Sequence, residues 1–260
     1  MALNSPKDEK ADPQWGSLQQ KFPSTNGNEY REEITDRLWS LWGSPLYDSE
    51  PKADCPLYDA EPKADIECPL PNSATVPPGQ LLARCVVACC VSNIISLDEW
   101  NSQLLDRIML YGSQYHDISC SALQRGKDEA ELSLENLYTA CILDKQAFWV
   151  YTEKVLCGKL YSKRKSLGSA LSAFFNQHQR SGIVQLKDRT LAFGFRPECS
   201  SRGAYFMFNC QGKDPGTQGA PYLLRMRQLQ KLLHCLLVAL NERGRNVDFK
   251  IYKVWCVPRS

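Results

Sequence analysis

Residues 182–208 have the sequence GIVQLKDRTLAFGFRPECSSRGAYFMF, and this stretch decides the fold class. It contains three runs of apolar, β-branched and aromatic residues: Gly182–Leu186, Thr190–Phe195 and Ala204–Phe208. The connections between the runs are polar or contain glycine, which is typical of the loops between paired strands. The stretch therefore predicts three successive antiparallel β-strands.

Helical patterns lie on both sides of these strands. Upstream, the spacing of apolar residues predicts helices over 80–96, 101–117, 132–143 and 167–179, with a turn at 97–100 and an extended piece at 148–151. Downstream, a glycine-rich loop at 212–219 leads into a predicted long helix over 222–241, and the alternating residues 249–255 predict a final strand. The predicted fold class is α+β, with N-terminal helices followed by an antiparallel sheet and one long helix before the last strand.

Charge and composition divide the chain in two. Residues 1–75 contain 7 basic and 14 acidic residues, whereas residues 76–260 contain 24 basic and 15 acidic residues, although the total charge is only +2. The first part is rich in proline and polar residues and cannot bury enough apolar surface to fold alone. We therefore predict a disordered acidic arm at 1–75 and one compact domain at 76–260. Within the arm, Tyr30–Trp42 has helical spacing and is predicted to be a short amphipathic element that docks on the domain or on a partner.

The arm contains an internal duplication of 11-residue period. PLYDSEPKADC at 45–55 is followed directly by PLYDAEPKAD at 56–65. Two units are too few for a repeat architecture, which needs several stacked units to bury a core. The duplication is either a bivalent short binding motif or the product of slippage in an unconstrained linker.

The 12 cysteines fit neither a disulfide framework nor a zinc site. No apolar leader is visible in residues 1–30, and no run approaches the roughly 18 apolar residues of a membrane span. No CxxC pair occurs, and the chain has only three histidines. We therefore expect a cytoplasmic or nuclear protein with reduced thiols, no membrane association, no metal and no cofactor.

Several segments together resemble the papain-fold cysteine peptidases of the herpesvirus tegument deubiquitinase type, and most closely a set of diverged insect relatives. The likeness extends over about residues 79–257. Four segments carry it: a helix with a cysteine after a Gly/Gln loop at Gly79–Cys85, the Leu-Asp…Gly segment Leu104–Tyr115, the strand pair 191–195 and 205–208, and the helix that begins near Gly219. In active members the second strand of that pair ends in Phe-Asp-x-His.

The resemblance places Cys85 at the nucleophile position, but it also implies that the site is degraded. A papain-type site needs a thiolate at a helix N-terminus and a histidine base held by an Asp or Asn. Here Phe-Asp-x-His is replaced by Phe208-Asn209-Cys210-Gln211, and an amide cannot accept the proton of a thiol. Cys85, Asn209 and Gln211 are therefore interpreted as vestigial positions, and no catalytic residue is expected. His116, His178 and His234 do not follow a strand where the base should stand.

The leading hypothesis is a catalytically inactive cysteine-peptidase-like scaffold that binds a protein partner. A groove lined by Arg84, Cys85, Phe208 and Cys210 would receive a ubiquitin-like protein or an extended peptide. One alternative is an active cysteine protease or deubiquitinase with Cys85 as the nucleophile and a relocated base. Another is a nucleic-acid-associated protein, suggested by basic residues without a binding motif: Lys159, Lys163, Arg164, Lys165, Arg225, Arg227 and Lys231, with Tyr161 among them. A solvated helix face accounts for that charge equally well.

Overall fold

The structure is a computed structural model with four α-helices and nine β-strands in its described residues. It describes residues 29–44, 77–125, 132–143, 146–199, 202–211, 220–244 and 246–259. The helices are α1 (Pro78–Ile94), α2 (Ser102–Arg125), α3 (Leu167–Asn176) and α4 (Leu229–Leu240), with a 3-10 turn at Leu97–Glu99. The strands are β1 (Arg31–Ile34), β2 (Leu38–Trp42), β3 (Ala140–Leu143), β4 (Gln146–Lys159), β5 (Ser181–Leu186), β6 (Arg189–Phe195), β7 (Tyr205–Asn209), β8 (Tyr222–Met226) and β9 (Asp248–Pro258).

All nine strands belong to one antiparallel sheet in the order β1-β2-β8-β7-β6-β5-β9-β4-β3. Helices α1 and α2 cover one face of its middle strands, and α3 and α4 cover the other. Strand β7 shows how the alternation divides the core, because Phe206 and Phe208 point to the α1 side and Met207 points to the α4 side. The two hydrophobic cores are therefore separated by the sheet.

The predicted strands at 182–208 are confirmed as β5, β6 and β7. Strands β5 and β6 form a two-residue hairpin, since Leu186 pairs with Arg189. Lys187 takes a left-handed conformation with φ of 53°, which the tight turn requires. The last strand is also confirmed and is longer than predicted, and it pairs with β4 over most of its length.

Helix α1 is the central helix of the molecule, and it is apolar on all sides because it is enclosed by α2 and the sheet. Its residues from Leu81 to Ser92 are all buried. It begins at Pro78, where a missing N–H costs nothing because the first helical N–H groups have no intrahelical partner. Helix α2 crosses it closely at Gly112, where an added Cβ would lie only 2.4 Å from Cγ of Arg84.

Other sequence-based expectations were wrong. Tyr30–Trp42 is not a helix, because β1 and β2 form a hairpin and β2 pairs with β8. Residues 31–42 are thus part of the sheet, although the sequence had placed them in the arm outside a domain that begins at 76. The predicted helix at 132–143 is a turn followed by β3, and the predicted helix at 222–241 is β8 followed by the shorter α4. The duplicated segment and the glycine-rich loop lie outside the described residues.

Within the described ranges, no helix combines the length and the apolarity that a membrane span would need.

Candidate functional site

The first turn of α1 lies against the end of β7, and this is where the resemblance places a catalytic site. The Cys210 sulfur, just after β7, is 3.8 Å from the carbonyl oxygen of Leu81. It is also 3.9 Å from the sulfur of Cys85. The segment 209–211 therefore lies beside the central helix. We call the contact between this segment and α1 the juncture, and its side chains decide whether it could carry out catalysis.

Cys85 does not stand at the helix N-terminus. Helix α1 begins at Pro78, so that Cys85 is its eighth residue and lies beyond the first turn, to which the favourable field of a helix N-terminus is confined. Its side chain is fully buried, and burial raises the pKa of the thiol well above its ordinary value. Its sulfur also lies 3.6 Å from the carbonyl oxygen of Thr190. The expectation of a nucleophile position at Cys85 is wrong on these grounds.

The first turn itself carries no nucleophile. Its residues are Pro78, Gly79, Gln80 and Leu81, with Pro77 at the N-cap position, and none of them has a thiol or a hydroxyl. The amide of Gln80 donates to the Ser113 hydroxyl oxygen at 2.9 Å. A thiolate stabilised by the helix field is therefore not available here.

The resemblance assigns Gln211 to the position of the histidine base, and this assignment stays a prediction. Its side-chain N–H donates to the carbonyl oxygen of Asp188 at 2.8 Å, and its backbone N–H donates to the amide oxygen of Asn209 at 2.8 Å. Asn209 in turn donates to the Tyr222 hydroxyl at 3.0 Å. Both amides are buried and held by these hydrogen bonds. They fix the loop after β7, and neither can take up a proton from a thiol at neutral pH.

Of the three histidines, His116 lies beside the first turn of α1, since a Cβ added at Gly79 would be 3.4 Å from its Cδ2. His116 is on α2, where its Nε2 is 3.5 Å from the sulfur of Cys120 and its Nδ1 is 3.1 Å from a carboxylate oxygen of Asp117. His178 follows α3 in a left-handed conformation, and His234 is in α4 on the far side of the sheet. The imidazole of His116 is therefore in contact with the thiol of Cys120 and not with that of Cys85. Burial raises the pKa of Cys120, and the Asp117 charge adds to this increase.

The predicted binding groove is closed. Arg84 is 7% exposed, and Cys85, Phe208 and Cys210 are 0% exposed, because α1, α2 and the sheet pack directly on one another here. The Arg84 guanidinium donates to the Ser113 hydroxyl oxygen at 3.2 Å, and burial lowers its pKa. These side chains are core residues and cannot line a binding surface in this conformation.

An exposed apolar surface lies at the other end of the sheet. Five large side chains point outward from three neighbouring strands, on the face opposite α1 and α2: Ile142, Trp149, Tyr151, Trp255 and Val257. Tyr151 stacks on Trp255 with ring centroids 5.2 Å apart, and the Lys253 ammonium lies 4.8 Å from the Trp255 ring centroid. We call this surface the outer face. The sequence did not reveal it, because β4 and β9 are about a hundred residues apart in the chain.

The predicted basic cluster is divided by the fold. Arg225 is 0% exposed, and its guanidinium is bonded inside the protein to Asp98 at 2.8 Å, so that it is unable to contact a nucleic acid. Arg227 and Lys231 line a surface pocket beside Arg37 and Asp36. Within the described ranges, no group of three or more His, Cys, Asp or Glu side chains is arranged to hold a metal ion.

The arrangement of these elements agrees with comparisons to known proteins. Residues 69–255 match the family model described as the herpesvirus tegument protein, N-terminal conserved region. The chain belongs to this family. The resemblance inferred from the sequence is thus confirmed. No curated protein matches the chain.

A solved structure supports the fold independently. It is the ubiquitin-specific protease encoded by a murine cytomegalovirus tegument protein, in complex with a ubiquitin-based suicide substrate. The two chains align with a TM-score of 0.55 and 13% sequence identity, over 72% of this chain and 82% of the viral one. At this identity the likeness establishes a shared protease-like α+β fold.

Proposed function

We propose that this chain is a catalytically inactive member of its family that acts as a protein-binding module. The observation that carries the proposal is the position of Cys85, which is fully buried and lies two turns inside α1. The resemblance puts the amide Gln211 in place of the base, and the first turn of α1 lacks a thiol. A cysteine peptidase requires an accessible thiolate and a base in mutual contact. At this juncture the first turn of α1 offers no thiol to the nearby His116, and the thiols of Cys85 and Cys210 are fully buried.

The binding surface that we propose is the outer face together with the edge of β3. Strand β3 is the last strand of the sheet in the described residues, so that the hydrogen-bonding groups of one side are available to an added strand. Ile142 on β3 is 59% exposed and is continuous with Trp149 on β4. An extended segment of a protein partner would pair with β3 and lay alternate side chains on this apolar surface.

The viral protease binds a ubiquitin-based substrate, so a ubiquitin-like protein is the first partner to test. The rim of the outer face carries Lys253 and Arg259, whose charged groups lie 4.8 and 4.9 Å from the ring centroids of Trp255 and Trp149. The Lys253 ammonium already pairs with Glu153 at 2.6 Å, so an acidic residue of the partner segment would complement Arg259. Aromatic residues flanked by cations are the side chains that most often dominate binding energy.

Inactivity is tested with a ubiquitin derivative that carries a C-terminal electrophile. The full chain is incubated with this probe at neutral pH and analysed by mass spectrometry. We expect no adduct in the native protein and no change on Cys85→Ser. An adduct at Cys85 would contradict the proposal. So would an adduct at Cys120 that is lost on His116→Gln, because it would mean that the thiol–imidazole contact on α2 is an active site.

Binding is tested by titrating isotope-labelled ubiquitin with the full chain and following its amide resonances. Trp149→Ala and Trp255→Ala should each weaken binding by about tenfold or more, because truncating an aromatic hot-spot residue costs ~1.4 kcal/mol or more. The control is Leu110→Ala on α2, where the side chain is 56% exposed but lies away from the outer face. Absence of binding refutes the ubiquitin-like partner. Binding that resists both tryptophan substitutions refutes the assigned surface.

A further inference from the structure

A pair of thiols that the proposed function does not use lies between α1 and β9. Cys256, near the end of β9, is partly exposed, and its sulfur is 3.7 Å from the carbonyl oxygen of Cys90 on α1. Cys90 is fully buried. The Cys256 sulfur thus lies against the main chain of Cys90, and the two thiols influence each other's pKa. One member of the pair is thus open to small molecules, and the other is shielded directly behind it.

The surroundings of Cys256 favour a thiolate. The Asn93 amide donates to its sulfur at 3.5 Å. The Asn93 oxygen accepts a hydrogen bond from the Arg196 guanidinium, which also donates to the hydroxyl oxygens of Ser92 at 3.1 Å and Ser181 at 3.2 Å. Arg196 is 4% exposed, so that its positive charge is fixed in the interior. The amide of Asn93 is thereby oriented with its N–H group toward the sulfur.

These contacts act on the two sulfurs in opposite directions. Hydrogen bonding with Cys90 lowers the pKa of Cys256 to about 7, with help from Asn93 and the Arg196 charge and against the effect of burial. The pKa of Cys90 is raised well above its ordinary value by the hydrogen bond with Cys256 and by burial. In a coupled pair the first proton leaves from the site that best stabilises the charge, which here is Cys256.

We propose that Cys256 and Cys90 form an oxidisable dithiol in which Cys256 reacts with hydroperoxides and Cys90 resolves the product. The Cys256 thiolate attacks one oxygen of the peroxide, so that a sulfur–oxygen bond forms, the oxygen–oxygen bond breaks and hydroxide leaves. The thiol of Cys90 then attacks the sulfenic sulfur. A sulfur–sulfur bond forms, and the hydroxyl of the sulfenic acid leaves as water with the Cys90 proton. One peroxide is reduced by two electrons, and the two cysteines are oxidised to a disulfide.

The bond would join the central helix to the strand that carries half of the outer face. Cys256 is flanked by Trp255 and Val257, whose side chains point to the opposite face of β9. Oxidation is therefore positioned to tether this part of β9 to α1.

The experiment exposes the full chain to a small excess of hydrogen peroxide, blocks free thiols with iodoacetamide and maps the unreduced peptides by mass spectrometry. We expect the Cys90–Cys256 disulfide as the first product. In Cys90→Ala, oxidation should stop at a sulfenic acid on Cys256 that dimedone traps. Brief dimedone treatment of the unaltered chain should trap the same species, so that the test does not depend on the folding of the variant.

Two controls make the outcome specific. Cys157 on β4 is exposed, and Cys157→Ser should leave disulfide formation unchanged. Asn93→Ala should slow alkylation of Cys256 at pH 7, because it removes one of the hydrogen bonds that lower the thiol pKa and so reduces the thiolate fraction. Alkylation of Cys157 should not change. Earlier oxidation of Cys157, a first disulfide between other cysteines, or a stable sulfenic acid at Cys256 with Cys90 intact would each overturn the proposal.

Discussion

Replacing Arg225 with methionine should be among the most damaging single changes in this protein. The guanidinium is 0% exposed and donates to the carbonyl oxygens of Gly203 at 3.3 Å, Leu97 at 3.3 Å and Cys199 at 3.1 Å. It also donates to the carboxylate of Asp98 at 2.8 Å. Methionine keeps much of the volume but cannot donate, so that the carbonyl groups of Gly203 and Cys199 lose the Arg225 donor inside the protein. The Leu97 carbonyl still accepts from the Tyr30 hydroxyl at 2.7 Å.

The magnitude follows from these contacts. Each buried polar group left without a partner costs about 1–3 kcal/mol. Asp98 is 40% exposed and recovers its hydration, and local relaxation relieves part of the rest. The net loss for Arg225→Met should therefore be about 3–5 kcal/mol, as for other disrupted buried charge networks. This is a large share of the total stability of ~5–15 kcal/mol that is ordinary for a domain.

The assay is equilibrium unfolding in guanidinium chloride, followed by tryptophan fluorescence. The matched control is Arg227→Met, two residues further on, where the guanidinium is 48% exposed and lies 3.4 Å from an oxygen of the exposed Asp36. That substitution should cost only about 0–1 kcal/mol. If both variants lose the same small free energy of unfolding, the inference that Arg225 holds together the segments that contain Leu97, Cys199 and Gly203 is refuted.

Three further substitutions test other parts of the structure. Gly112→Ala should destabilise the fold by about 1–3 kcal/mol in the same assay. The new Cβ would lie 2.6 Å from Cα of Arg84, so that helices α1 and α2 must separate. Unchanged stability would contradict the close crossing of the two helices. Gln211→His should yield no cleavage of a fluorogenic ubiquitin substrate, since the first turn of α1 still lacks a thiol, and measurable turnover would disprove that explanation. Burial tends to raise the pKa of Glu135, but the hydrogen bond from Tyr252 at 2.8 Å, the hydrogen bonds from Ser133 and the backbone, and the Lys250 charge together outweigh it, and the net pKa is lowered. This carboxylate therefore stabilises the fold above its unfolded-state pKa and loses that effect as pH falls through its folded-state pKa, so the deficit of Tyr252→Phe should be largest at neutral pH and shrink in acid; a deficit that grows in acid would be the wrong sign.

The sequence predicted the elements whose patterns are local and unambiguous. Helix α1 has one long apolar run, and the strands within 182–208 alternate with short polar turns. Strand β2 was mistaken for a helix because its sequence, LWSLW, has apolar residues at positions that fit both periods. Strand β2 pairs with β8, which lies about 180 residues further along the chain. The pairing of these two distant segments fixes them as strands, and nothing in either local sequence indicates it.

The structure places the segment Asn209–Gln211 against α1. Its assignment as the replaced catalytic segment stays a prediction. Cys85 was assigned to the nucleophile position by the resemblance, which requires a cysteine after a Gly/Gln loop at the start of a helix. The predicted helix over 80–96 already contained Cys85, and Pro77-Pro78 marks the observed start by an ordinary helix signal. The complete burial of Cys85 is due to packing by α2 and the sheet, and it could be recognised only from the structure.

Because the β1–β2 hairpin is part of the sheet, a shortened chain must include it to remain folded and monodisperse in solution. The segment matched by the family model begins at residue 69, which is beyond both strands. A protein truncated to that segment would leave β8 with an unsatisfied row of main-chain groups and would uncover the apolar residues on which Leu38 and Leu41 rest. Such a truncated protein should self-associate through β8, whereas a version beginning before Glu29 should remain dispersed.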